Sequence, residues 1–99
     1  MKEMMWATLS AQGGVTASQE FNIPPNNYVM AQCGLNMFVN TTGSTAINIA
    51  NYTPSDGSVV YLNYPNQPPA VWGQGIISVT IWLYAYGSFS TGFANVFLF

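Results

Sequence analysis

The chain has 99 residues, of which 49% are hydrophobic, 15% aromatic and 4% charged, with one basic residue, no His and a net charge of −2. One domain, residues 1–99, is expected, with a marginal core because a chain this short buries only about 60 to 70% of its unfolded surface. A single cation cannot neutralise phosphates and no apolar run reaches about 18 residues, so we expect neither nucleic-acid binding nor membrane insertion.

The amino-terminal half carries three strand patterns. Met4 to Ala11 and Val15 to Phe21 are rich in residues that strands favour, and Gln12-Gly13-Gly14 between them predicts a tight turn. The next segment, Tyr28 to Asn40, alternates with period two. Its odd positions are all apolar and predict a core face: Val29, Ala31, Cys33, Leu35, Met37 and Val39.

The carboxyl-terminal half continues with predicted strands at Thr45 to Asn51, Ser58 to Tyr64, Ile77 to Ala85 and Phe93 to Phe99. Turn residues precede two of them, in Thr41 to Ser44 and in Thr53 to Gly57. The third strand places Ile77, Val79, Ile81, Leu83 and Ala85 on one face and Ser78, Thr80, Trp82, Tyr84 and Tyr86 on the other. These patterns predict an all-β fold, an antiparallel sandwich of jelly-roll-like form or a small barrel.

Catalytic and metal-binding groups are scarce. Without His, the single Cys33 has no partner for nucleophilic catalysis, zinc binding or an intrachain disulfide. Glu20 and Asp56 could act as a glycosidase pair, but Asp56 precedes Gly57 in a turn, where its side chain would cap the backbone. We therefore expect no enzyme, no metal and no cofactor, with a hydrolytic domain as the alternative.

The irregular stretch Pro65 to Gly75 is a candidate ligand-binding loop. Flat aromatic rings stack on sugars, and amide groups form hydrogen bonds with sugar hydroxyls. The loop and the two residues that precede it contain both kinds of side chain. The candidate residues for a neutral glycan are Trp72, Tyr64, Asn66, Gln67, Gln74 and Asn63. The alternative is that Trp72 closes one end of the sandwich as part of the core.

The last strand is apolar on both faces, because Phe93, Phe97 and Phe99 alternate with Ala94, Val96 and Leu98. A lone sandwich buries only one face of a strand, so a second subunit is expected to cover the other. Phe93, Phe97, Phe99, Val96 and Leu98 are therefore the candidate interface of a homo-oligomer, a trimer being favoured. The alternative is a central strand covered by the Met4 to Ala11 segment.

Several segments resemble the tip domains of bacteriophage tail fibres and receptor-binding proteins. They are Val15 to Pro25 leading into Tyr28-Val29-Met30-Ala31, the strand end Ile81 to Gly87, and a Thr91-Gly92-Phe93 turn. The resemblance implies a trimeric virion component, exposed at the virion or extracellular surface, that contacts other virion proteins and binds a cell-surface glycan. Two alternatives stay open: a free lectin-like module, and a capsid or filament subunit that binds no ligand.

Overall fold

The computed structural model describes residues 1–39, 45–62, 70–85 and 89–99. They form eight strands, which is the all-β fold that the alternating pattern predicts. The strands are β1 (Glu3–Ala11), β2 (Val15–Asn22), β3 (Val29–Val39), β4 (Thr45–Pro54), β5 (Val60–Tyr61), β6 (Ala70–Trp72), β7 (Ile76–Ala85) and β8 (Phe89–Leu98).

The strands form two antiparallel sheets that pack as a sandwich. The first sheet has the order β1-β8-β3-β6 and the second sheet has the order β2-β7-β4-β5. Each step along the chain crosses to the other sheet, except the step from β4 to β5. Consequently the two longest pairings of the first sheet, β1 with β8 and β3 with β8, join residues far apart in sequence.

The core lies between the sheets and consists of aliphatic side chains from the inward-facing positions. In both sheets these positions alternate with outward-facing ones, as the pleat of a strand requires. The largest apolar side chains that are almost completely buried in the described part of the chain are Val29, Ile47, Ile49, Val79, Ile81, Leu83, Val96 and Leu98. The inward faces of β3 and β7 are thus largely the faces predicted from their periodicity.

Among the described side chains, two predicted core positions are wrong, and both lie at register shifts. The side chain of Val39, which was also predicted to face the core, lies outside the described part. The pairing of β3 with β8 shifts between Leu35 and Met37, and Met37 is exposed. The pairing of β4 with β7 shifts next to Pro54, and Ile77 is exposed while Ile76 is buried. An extra residue in one strand turns the following side chain to the other face, so the simple alternation fails there.

Two predicted turns are confirmed. Gly13 and Gly14 have φ values of 65° and 83°, which glycine adopts without strain. After β4, the N–H of Gly57 donates to the carbonyl of Pro54 at 3.0 Å, and Asp56 Oδ1 accepts hydrogen bonds from the N–H and the hydroxyl of Ser58 at 2.9 and 2.7 Å. The expected turn at Thr41 to Ser44 lies outside the described residues.

The predicted Thr91-Gly92-Phe93 turn is wrong, since β8 starts at Phe89 and passes straight through these residues. Gly92 faces the core, and a Cβ atom built there would lie 2.6 Å from Ile47 Cδ1 and 2.9 Å from the carbonyl oxygen of Gly34. The glycine is therefore explained by close packing between the sheets rather than by a turn.

Two further boundaries differ from the prediction. The stretch Pro65 to Gly75 contains a short strand, β6, which pairs with β3 through Val29 to Ala31. The predicted strand Ser58 to Tyr64 is reduced to β5, while its last two residues lie outside the described part of the chain. Only β6 was missed in the sequence, where Pro68 and Pro69 precede it and Gly73 follows it, residue types that disfavour strand interiors.

Candidate functional site

The outer face of the first sheet carries an apolar ladder, by which we mean Met4, Phe97, Met30 and Val71. The register pairs Met4 with Phe97, Phe97 with Met30, and Met30 with Val71, so the ladder crosses all four strands. Met4 is 46% and Val71 70% exposed, whereas Phe97 and Met30 are partly buried. Directly opposed side chains on one face lie close enough to touch, so the ladder is a continuous apolar surface open to solvent.

The rows on the Ala11 side of the ladder are also uncharged, whereas on its other side lies Lys2, whose N–H donates to the carbonyl of Leu98 at 2.7 Å. Trp6 on β1 is 67% exposed and lies in the row of Asn95 and Gln32. In the next row Phe93 is paired with Gly34, and a Cβ atom built on Gly34 would lie 2.7 Å from Phe93 Cε1. The aromatic ring thus covers the glycine of the neighbouring strand. Between Met4 and Ala11 this face has no charged side chain on the described strands.

The predicted interface residues divide between the two faces of β8. Phe93 and Phe97 lie on the outer face of the first sheet, where a partner could reach them. Val96 and Leu98 point into the chain's own core, 0% and 1% exposed, so assigning them to a subunit interface was wrong. Phe99 follows the strand and is exposed, and its backbone exchanges two hydrogen bonds of 2.9 Å with Tyr28.

The position of β8 explains this division. It is a central strand, as the alternative had it, but β1 lies beside it and does not cover its face. Leu9 and Met5 of β1 point inward with the core side chains, while Trp6 points to solvent. The outer face of β8 therefore keeps its aromatic residues without intramolecular cover from β1.

The outer face of the second sheet carries a different surface, centred on Trp82 and Tyr84 of β7. Their ring centroids lie 5.9 Å apart with an interplanar angle of 83°, an edge-to-face pair. In register, Trp82 is flanked by Ser18 of β2 and Asn48 of β4. Both aromatic side chains are partly buried, and polar side chains lie beside them.

The row next to Trp82 is polar across the whole sheet. It runs from Glu20 through Thr80 and Asn51 to Tyr61, which is exposed at the edge strand β5. The chain's one basic residue, Lys2, lies elsewhere: its Nζ is 3.4 Å from the carbonyl oxygen of Asn26. The second-sheet outer face therefore offers hydroxyl, amide and carboxylate groups but no cation.

The predicted ligand-binding loop is only partly described. Trp72 is partly buried and packs against the core, with its ring centroid 5.2 Å from that of Tyr52 on the opposite sheet. Gln74 is exposed and its Nε2 donates to the carbonyl of Asn26 at 3.4 Å. This geometry favours the packing alternative for Trp72. The other four candidates, Asn63, Tyr64, Asn66 and Gln67, lie outside the described residues.

The remaining reactive groups are dispersed. Cys33 is partly buried, and desolvation raises the pKa of its thiol to about 11, which suppresses the reactive thiolate. Glu20 lies on the second-sheet outer face, whereas Asp56 is held in the turn after β4 by Ser58. Among the residues that the structure describes, no three Asp, Glu or Cys side chains gather as metal ligands. The described ranges likewise contain no helix long and apolar enough to cross a membrane.

The outer face of the first sheet could not be predicted from the sequence, whereas the outer face of the second sheet could be predicted in part. Only the register reveals that Met4, Trp6 and Met30 share one outer face with Phe97, because it pairs segments that are distant in the sequence. By contrast, the alternation in β7 by itself predicts that Trp82 and Tyr84 share one face. No protein-family model matches this chain, and no curated protein is significantly similar to it.

Proposed function

We propose that this chain is a non-enzymatic subunit of an oligomeric structural or adhesion assembly, of the kind found at viral tail-fibre tips. In this proposal the first-sheet outer face of each copy packs against another copy. A trimer is the arrangement we favour, with other virion proteins as further partners and a neutral glycan as the ligand. The assembly would stand at the virion or extracellular surface.

The observation that carries the proposal is the apolar ladder. Large contiguous apolar patches are rare on the surfaces of monomeric soluble proteins, and where they occur they often mark interaction sites. The ladder joins two partly buried side chains, Phe97 and Met30, to two exposed ones at the sheet edges, with Trp6 alongside. Methionine and aromatic residues are also the types enriched in the centres of protein interfaces.

The charge and size of this face suit a second copy of the same chain. Because the rows from Met4 to Ala11 hold no charged side chain on the described strands, two copies can pack these rows together without repulsion and without desolvating an ion. The molecule measures 44 × 26 × 18 Å, so a broad face has room for the roughly 800 Å² that each partner contributes to a standard interface. The face can therefore pack against a second copy of the same chain without complementary charges on the two surfaces.

Sedimentation velocity on a matched pair of variants tests this proposal. Trp6 and Thr16 are both exposed on edge strands, but Trp6 lies on the first-sheet outer face and Thr16 on the second. Trp6→Lys places a charge in the proposed seam and should dissociate the oligomer, because burying an unpaired charge costs several kcal/mol. Thr16→Lys, which makes the same charge change, should leave the sedimentation coefficient unchanged.

Two results would contradict the proposal. One is a Trp6→Lys variant that is folded, as judged by its melting curve, and sediments like the parent. The other is equal dissociation by both variants, which would indicate that net charge and not the first-sheet face controls assembly.

A further inference from the structure

We propose that the second-sheet outer face binds a neutral polysaccharide, with the ring of Trp82 as the stacking platform. The inference rests on the proposed adhesion role and gives it a ligand class and a site. It also places the glycan away from the Pro65 to Gly75 loop, whose Trp72 packs against Tyr52.

The aromatic pair is placed for such a role. Trp82 lies on a central strand with neighbours on both sides, Ser18 on β2 and Asn48 on β4. Tyr84 contacts it edge to face with ring centroids 5.9 Å apart, a contact that favours one orientation of the indole before any ligand arrives. A side chain whose orientation is already restricted loses little conformational entropy on binding. The free energy of its contact with a sugar is therefore reduced little by the cost of ordering the ring.

The polar rows supply the groups that sugar hydroxyls require. Hydroxyls donate and accept hydrogen bonds, and Glu20, Thr80 and Asn51 form a row of carboxylate, hydroxyl and amide beside the indole. Tyr61 extends the row to the β5 edge. An apolar ring with polar groups at its side matches a pyranose, which has apolar C–H faces and a rim of hydroxyls.

The charge and the extent of the second-sheet outer face favour an extended neutral polysaccharide over an acidic one or a single sugar. The face carries the Glu20 carboxylate and none of the chain's basic side chains, so acidic polysaccharides and phosphates would be repelled. The residues concerned spread across four strands and both sides of Trp82. An extended chain of neutral sugars spans such a surface better than a single monosaccharide does.

Affinity electrophoresis of the full chain tests the site, with dextran, galactomannan or laminarin in the gel and alginate as the acidic comparison. The parent should be retarded by at least one neutral polysaccharide and not by alginate. Trp82→Ala should weaken this retardation about tenfold or more, the scale expected for loss of an aromatic contact. Ser18→Arg, which places a long side chain opposite Trp82 without removing the indole, should weaken it similarly.

The matched control is Asn22→Arg. Asn22 is exposed and lies on the same strand and face as Ser18, but in the row of Ser78 rather than that of Trp82. This variant should be retarded like the parent. Melting curves accompany each variant, and if Trp82→Ala does not fold, the contrast between Ser18→Arg and Asn22→Arg decides the question.

The outcomes separate this site from the assembly proposal because the native mass of every variant is measured in parallel. Loss of retardation in the Trp82 and Ser18 variants at unchanged mass supports the site, whatever that mass is. An unretarded parent, or a folded Ser18→Arg variant retarded like the parent, overturns the site even where the oligomer persists. A change of mass in the Trp82 and Ser18 variants also overturns it and makes this face a subunit contact.

Discussion

Gly92 shows how a single residue sets the contact between the two sheets. It lies in the middle of β8, where a strand interior would ordinarily disfavour glycine. Ile47 of the opposite sheet and the backbone of Gly34 occupy the space that a side chain would need. Glycine at this position therefore lets the sheets approach, which is a role of packing and not of backbone flexibility.

We predict that Gly92→Ala destabilises the fold by about 1 to 3 kcal/mol, the range typical of overpacking a core. The added Cβ would lie 2.6 Å from Ile47 Cδ1 and 2.9 Å from a backbone oxygen, and the latter cannot move without distorting β3. Urea unfolding measures the loss. Gly73→Ala is the control, since its nearest atom, Tyr28 Cε1, is 4.0 Å away, and it should change stability by less than about 0.5 kcal/mol. Equal effects of the two changes would refute this explanation of Gly92.

At the scale of elements, the strands and most of their inward faces could be predicted, but the bulges could not. Alternation of apolar residues identifies β3 and β7 because the pleat allows one face to meet the core. A register shift depends on how the partner strand pairs, and the sequence of β7 alone contains no sign that Ile77 turns outward. The same limit applied to β8, whose two apolar faces could not be assigned until its neighbours were known.

The register of β7 leads to a prediction within one strand. The side chain of Ile81 is 0% exposed. Ile77 lies at the register shift next to Pro54, and its side chain is exposed on the outer face. Ile81→Ala should destabilise by about 2 to 5 kcal/mol through lost burial and a cavity, whereas Ile77→Ala should cost less than about 1 kcal/mol. Chemical denaturation of the two variants provides the measurement. Similar losses of unfolding free energy in the two variants would show that the β4–β7 register shift does not lie next to Pro54.

The turn after β4 makes the stability of the fold depend on pH on the acid side. The Ser58 hydroxyl, and then its N–H, stabilise the ionised carboxylate and hold the pKa of Asp56 below its ordinary value. A lowered carboxyl pKa adds stability above the unfolded pKa of about 3.9, and this stability is lost as pH falls through the folded pKa. The chain has no His, and the Cys33 thiol, with its pKa raised to about 11, stays protonated at neutral pH.

The melting temperature should therefore be nearly constant between pH 5 and 8 and should decline only below about pH 4. Asp56→Asn should reduce the acid-side decline, because the amide does not titrate. Thermal melts across this pH range check both statements. A shift of many degrees between pH 5 and 8 would mean that a titrating group is missing from this account.

At the scale of the whole molecule, the sandwich presents two outer faces of contrasting chemistry. Between Met4 and Ala11 the first-sheet outer face carries no charged side chain, and we propose that it mediates assembly; the second-sheet outer face is aromatic and polar, and we propose that it binds a glycan. The sequence predicted that β8 would leave one aromatic face uncovered. It could not predict the apolar ladder, because Met4, Met30 and Val71 join Phe97 only through pairings between distant segments.

The native mass of the parent chain is the direct test of the claim that copies of this chain assemble. Light scattering coupled to size-exclusion chromatography over a range of concentrations gives this mass. We predict a discrete particle at a multiple of 10.8 kDa, three copies for the favoured trimer, with stability that rises with protein concentration. A soluble, stable monomer of 10.8 kDa at micromolar concentration would contradict the claim.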